Sequence, residues 1–397
     1  MQTKVVISNE ILNWLTENVQ TDSLPKQIQE YLYLWKAGKK TPTFNQIEKT
    51  SKATGIPLGY FFLQTPPTED ESLADYRTVD SVEFNKPSRN LLDVIHDMEL
   101  IQEWTRNHLI SEGYSPIPFV GAFKQQNNVL DFAVSVRQIL DLSNNWFSSF
   151  KHTEDSFNFI RTTISNSGVV VMMSGIVGNN THRSLDINEF RAFTLIDDYA
   201  PLIFINSNDS INARLFSLLH EFAHICIGEN SLFNDRYSTG SKVKKAETVC
   251  NAVAAEILVP QQLFSEEWTN IIKYMNAEQA IPVLARNFKC GSTVIARKAL
   301  DNKFIDYQLY EKIAQLAIKQ YNNHLKKQKE KGETSGDYYK TAANRIDKRF
   351  FSMLVNSVAE RNTLYTDAFR LTNTNRVTFL KLAKKLGGNV NLFTHSR

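Results

Sequence analysis

Apolar positions recur at helical spacing over most of this chain. Near the start, Ile11, Leu12 and Leu15, then Ile28, Leu32 and Trp35, mark amphipathic helices. An aromatic cluster follows at Tyr60, Phe61 and Phe62. Pro66-Pro67 then blocks any helix and opens an acidic linker, TEDES at 68–72. Helical periodicity returns over 88–112 and 128–142. β-branched runs at 168–172, 193–196 and 201–205 predict strands. The polar turn at 206–209 closes the last strand and can cap a long helix predicted over 211–227, which stops at Gly228. A further helix is predicted over 244–259 and ends at Pro260. Beyond 266 the pattern is almost wholly helical. A lysine-rich, glycine-interrupted stretch at 326–336 divides it and is expected to be an exposed loop or linker. No internal repeat of roughly 20–50 residues is evident. The expected fold is mainly α, of the α+β kind. Three regions divide it: a helical segment at 1–80, helices with a small sheet at 81–265, and a helical segment at 266–397.

Composition narrows the class. The chain has 397 residues, 42% hydrophobic and 22% charged, as in soluble globular proteins. The opening MQTKVVISNE lacks a basic-then-apolar signal pattern. The longest apolar runs, such as GVVVMMSGIV at 168–177, suit core strands and not the ~20 residues of a membrane helix. Three widely spaced cysteines, Cys226, Cys250 and Cys290, give no disulfide framework and no C-x-x-C pair, so a cytoplasmic protein is expected. Cys226 and Cys250 read as small buried hydrophobes, with Cys226 facing away from any ion at the neighbouring histidines. The net charge of +3 does not by itself argue for nucleic acid. Basic stretches at 324–331 and 340–349 read as solvated helix faces, with a weak phosphate contact as the sharper alternative.

The chemistry is concentrated in HEFAH at 220–224. On a helix, positions four apart share a face, so His220 and His224 can point at one ion. Glu221 sits between them, beside the ion, placed to take a proton from water and return it to a leaving amine. The flanking Leu215, Phe216, Leu218, Leu219, Phe222, Ala223 and Ile225 predict burial. Buried polar groups need partners, and a metal supplies one for all of them. A catalytic zinc takes three protein ligands and keeps one position open. Glu247, 23 residues after His224 and near the start of the next helix, is the candidate third ligand. Asn251, one turn further, is placed to hydrogen-bond a ligand histidine and fix its tautomer. Glu256 lies off that face and reads as a surface charge. His182, in the polar turn NNTHRS, reads as solvated.

With these residues in place, ARLFSLLHEFAHICIG at 213–228 and AETVCNAVAAEILVP at 246–260 resemble the ImmA/IrrE family of metallo-endopeptidases. Glu247, Asn251, Ala254, Ala255, Leu258 and Pro260 match its E-x-x-A-N-x-F-A-A-x-L-L-x-P pattern. Cys250 stands for the usual Ala and Val253 for the usual Phe. The segment at 190–209 is similar to the family's strand pair, DYRTVD at 75–80 to its D-F-R-T segment, and 336–355 with 363–372 to the tail of its long members. Residues 35–67 resemble the end of an Xre-type helix-turn-helix. The resemblance implies a zincin-like core, zinc on His220, His224 and Glu247, and Glu221 as general base. It also implies a substrate class, Xre-type repressors of phage, mobile-element or stress genes.

The resemblance implies other partners as well. Long members are similar to partners of PIN-like toxins, which would make this chain an antitoxin or regulator with a structural zinc site. DNA enters through the helix-turn-helix likeness, although 23–35 offers few Arg, Asn or Gln side chains to read base edges. Trp35 and the aromatic cluster read as core. A second DNA candidate, 281–305, reads helix, turn, helix like the start of a winged helix, with Arg286, Arg297 and Lys298 as basic groups. In the family this segment follows the catalytic helices, so holding substrate is its alternative role. No membrane partner is expected. Arg236 and Tyr237 are candidates for a second oxyanion donor.

Overall fold

A computed structural model describes residues 4–19, 21–67, 87–126, 128–233, 245–330 and 338–386. The expected TEDES linker, DYRTVD, Arg236 and Tyr237 lie outside them, as do the side chains of 324–331. The chain forms two compact units, one of residues 1–99 with 175–186, the other of 100–174 with 187–397.

In the first unit, α1 (Asn9–Asn18), α2 (Lys26–Lys36) and α3 (Phe44–Thr54) enclose a core of Ile11, Leu15, Ile28, Leu32, Trp35, Ile47 and Phe61. Ser8 caps α1. Thr43 and Gln46 form a reciprocal capping box on α3, which ends on left-handed Gly55. Trp35 and Phe61 are buried as expected, but Phe62 is 45% exposed. Helix α4 (Arg89–Ser111) begins in this unit. There Asp93 holds the Arg183 guanidinium at 2.6 Å.

The second unit carries the sheet. After α5 (Val129–Ile139) and α6 (Thr153–Asn166) come β1 (Val170–Ser174), β2 (Ala192–Leu195), β3 (Leu202–Asn206), α7 (Ile211–Ile227) and β4 (Ser231–Phe233). The order is β1-β3-β2-β4, with β1 parallel to β3 and β2 antiparallel to β3 and β4. The three expected strands form within two residues of their predicted bounds. α6 and β4 were not anticipated. Helix α7 packs on β2, β3, α6 and α8 (Lys245–Leu258), so it is buried on every side.

The rest is helical: α9 (Gln261–Ile271), α10 (Ala277–Asn287), α11 (Ser292–Asp301), α12 (Tyr307–Glu330), α13 (Tyr338–Arg345), α14 (Lys348–Ala359), α15 (Tyr365–Leu371) and α16 (Arg376–Lys385). Of the stretch expected to be loop at 326–336, residues 326–330 are helical as the end of α12, in a run of Lys, Gln and Glu that favours helix, and 331–336 lie outside the described residues. The C-terminal helices close the edge of β1. Arg161 donates to the carbonyls of Asn344, Ile346 and Val171, and Asp347 accepts from the Val171 amide at 3.1 Å while capping α14. The observed fold is mainly α, with a small mixed sheet, as the α+β expectation required. No helix among the described residues is long and apolar enough to cross a membrane.

Candidate metal centre

Helix α7 presents the HEFAH segment from a fixed frame. The Ser210 side chain accepts from the Ala213 amide at its start. At its end Gly228 adopts φ 82°, and its amide bonds the His224 carbonyl at 2.8 Å. The backbone at 121–123 caps two further carbonyls: Gly121 N donates to Ile225 O and Phe123 N to Cys226 O. His220 and Glu221 are fully buried, and His224 is nearly so.

Glu247, in the first turn of α8, reaches between the two imidazoles. His220 Nε2 lies 3.3 Å from Glu247 Oε2, and His224 Nε2 lies 3.2 Å from Oε1. The two Nε2 atoms are 3.1 Å apart. A tetrahedral ion with donors at about 2.0–2.1 Å sets neighbouring donors about 3.3–3.4 Å apart. The two ring nitrogens lie close to that spacing, each has a Glu247 oxygen within 3.3 Å, and one carboxylate with two imidazoles suits a divalent ion.

Electrostatics agree with a preformed site. Burial would push the Glu247 carboxyl up, but hydrogen bonds and charge from His220 and His224 hold it well below the usual carboxylate range. Burial would push His224 down, but Cys250 and Glu247 outweigh it and hold the ring well above an ordinary histidine. Cys250 is fully buried, as expected, and burial pushes its own thiol up. Burial raises the Cys226 thiol, with Cys250 adding to the effect.

The general-base candidate has partners that the sequence did not reveal. Thr194 Oγ1, from β2, donates to Glu221 Oε2 at 2.5 Å, and Ser231 Oγ, from β4, donates to the same oxygen. Glu221 Oε1 is buried and takes no hydrogen bond among the described residues. A lone Thr in the otherwise apolar AFTL strand was the only available signal.

Other candidates fall elsewhere. Asn251 is half-buried on α8, and its amide makes no hydrogen bond among the described residues. His182 is exposed and belongs to the first unit. Glu256 is not a surface charge. It is buried, with Lys298 Nζ 2.5 Å from its carboxylate, because α8 is covered by neighbouring helices on more than the face that carries Glu247. The expected helix, turn, helix at 281–305 is present as α10 and α11. Of its basic groups, however, Lys298 is committed to this buried pair and Arg297 to Asp301 at 3.0 Å. Only Arg286 of the three stands exposed with no ion pair to a described residue.

Two family models match the chain. Residues 165–300 match a peptidase family described as the IrrE N-terminal-like domain. Residues 346–385 match a domain of unknown function, DUF8813. No curated protein matches the chain.

Proposed function

We propose, on the premise that residues 165–300 make this chain a metallopeptidase of the ImmA/IrrE family, that it is a zinc endopeptidase acting on a regulatory protein. The observation that carries this reading is the convergence of His220, His224 and Glu247, whose ring nitrogens lie 3.1 Å apart and each within 3.3 Å of a Glu247 oxygen, with Glu221 next to His220 on the same helix. Zinc held there would supply a Lewis acid that polarises a peptide carbonyl and makes water available as a nucleophile near neutral pH.

The chain's own residues do the rest. His220, His224 and Glu247 would hold the ion. Glu221 takes the proton of the attacking water through Oε1, the oxygen with no hydrogen bond among the described residues, and returns it to the leaving amine nitrogen. The low exposure of the site keeps competing water few, which strengthens each charge interaction within it.

The substrate we assign is a repressor of the Xre type, on the strength of the family likeness around both motifs. The test uses the purified protein with an Xre-type repressor as substrate. A single cleavage is expected with the wild type and none with Glu221→Gln, which should keep its zinc and its fold. If Glu221→Gln still relieves repression, or still neutralises a toxin-type partner, the protein works by binding and the peptidase reading is wrong.

A further inference from the structure

We propose that Thr194 and Ser231 are positioning residues, a pair of hydroxyls that holds Glu221 off the metal so that it serves as base and not as fourth ligand. The inference deepens the metallopeptidase reading and rests on it.

A carboxylate one residue from a metal-binding histidine is a natural competitor for the ion's open position. Carboxylate oxygens are good zinc donors, and a buried carboxylate gains much from binding a cation. If Glu221 took that position, the site would be closed to substrate and would have lost its base. Something must keep this side chain in place. In this structure the donor atoms that gather within 4.8 Å of one another belong to His220, His224 and Glu247, and Glu221 stands outside that group.

The sheet supplies the restraint. Thr194 and Ser231 are direct partners in the antiparallel register of β2 and β4, so their side chains emerge side by side on one face. Both are fully buried. Both donate to Oε2 of Glu221, Thr194 at 2.5 Å. Neither hydroxyl comes from α7. They are anchored in strands, β2 being hydrogen-bonded on both sides, so the carboxylate is fixed relative to the sheet as well as to its own helix. The division of labour between the two oxygens is complete. Oε2 receives both hydroxyls, and Oε1 takes no hydrogen bond among the described residues. Hydroxyls suit the task because they donate to an anion without adding charge that would repel the ion. The arrangement also gives a reason for β4. Three residues long, it contributes little as a strand, yet it delivers Ser231.

The alternative is that the hydroxyls merely satisfy a buried charge. Cobalt substitution separates the two, because the visible spectrum of Co(II) reports its coordination. The wild type, Thr194→Val/Ser231→Ala, Thr194→Ser and the triple variant with Glu221→Ala would each be loaded with one Co(II) per chain. Spectra would be recorded with and without acetohydroxamate, a small ligand for the open position. The double variant is expected to show a changed spectrum. Its acetohydroxamate affinity should fall about tenfold or more, the factor that losing even one charge-assisted hydrogen bond represents. Thr194→Ser, which keeps a hydroxyl, should behave as wild type. Adding Glu221→Ala should restore acetohydroxamate binding, because the competing carboxylate is gone.

A folded double variant with the wild-type spectrum and affinity overturns the proposal. If the double variant does not fold, Ser231→Ala alone is read by the same measurements, and unchanged values again overturn it. A wild type that takes up no cobalt overturns the metallopeptidase reading itself, which is a different failure.

Discussion

Lys298 Nζ lies 2.5 Å from Glu256 Oε2, with the two side chains only 9% and 10% exposed. The same ammonium donates to the Val259 carbonyl, Gln261 N donates to the other Glu256 oxygen at 2.9 Å, and Arg137 donates to the Glu256 carbonyl at 2.5 Å. This network ties the end of α8, the helix that carries Glu247, to α11 and α5. Burial lowers the Lys298 pKa while Glu256 opposes the fall. Lys298→Met would leave the Glu256 carboxylate buried without its cation, which costs about 3–5 kcal/mol. Arg297→Ala, next along α11 but with its side chain 61% exposed, should cost less than about 1 kcal/mol. Urea unfolding of both variants checks this, and similar losses for the two would contradict it.

Gly228 is fixed by its conformation and by its neighbour. A Cβ there would lie 2.7 Å from Gly121 Cα, which is backbone and cannot rotate aside. A left-handed alanine alone costs about 1–2 kcal/mol. Gly228→Ala should therefore lose more than about 2 kcal/mol in urea unfolding and loosen the turn that ends α7 just after His224. A variant as stable as wild type would show that the 121–123 backbone yields freely.

Much of this region is legible in the sequence. The helix over 211–227 was legible to the residue because its signals are local: a polar turn before it, unbroken apolar periodicity, and a glycine after it. The pairing of His220 with His224 follows from helix geometry, and Glu247 followed from its place on the next helix together with family likeness. Glu256 was misread because a face argument assumes one buried side, whereas α8 is packed by both α5 and α7. Thr194 and Ser231 were out of reach because their meeting depends on the register of two strands separated by a whole helix. Helix α6 was passed over; its stretch mixes Thr, Asn and Ser with a sparse apolar stripe of Phe157, Ile160 and Ile164.

The pKa shifts at the centre predict how metal binding depends on pH. His224 is raised in the metal-free protein, so its stabilising contribution is full below the ordinary value of about 6.5 and is lost as pH rises through the raised native value. Glu247 is depressed, so its contribution holds above the ordinary carboxylate value and is lost only as pH falls through the native one. Metal must displace the His224 proton but none from Glu247 at neutral pH. Zinc affinity, read by competition with a chromophoric chelator at three pH values between about 6 and 8, should rise with pH by up to about tenfold per unit while one proton is released. A flat profile would show that His224 carries no proton to displace.

His220, His224 and Glu247 are proposed to hold one metal ion. Elemental analysis of protein purified without chelators, with His220→Ala alongside, tests it most directly. One zinc per chain is expected in the wild type and loss of that zinc in the variant, with helical content kept in both. Equal zinc in the two proteins, or none in the wild type even after incubation with zinc, would contradict it.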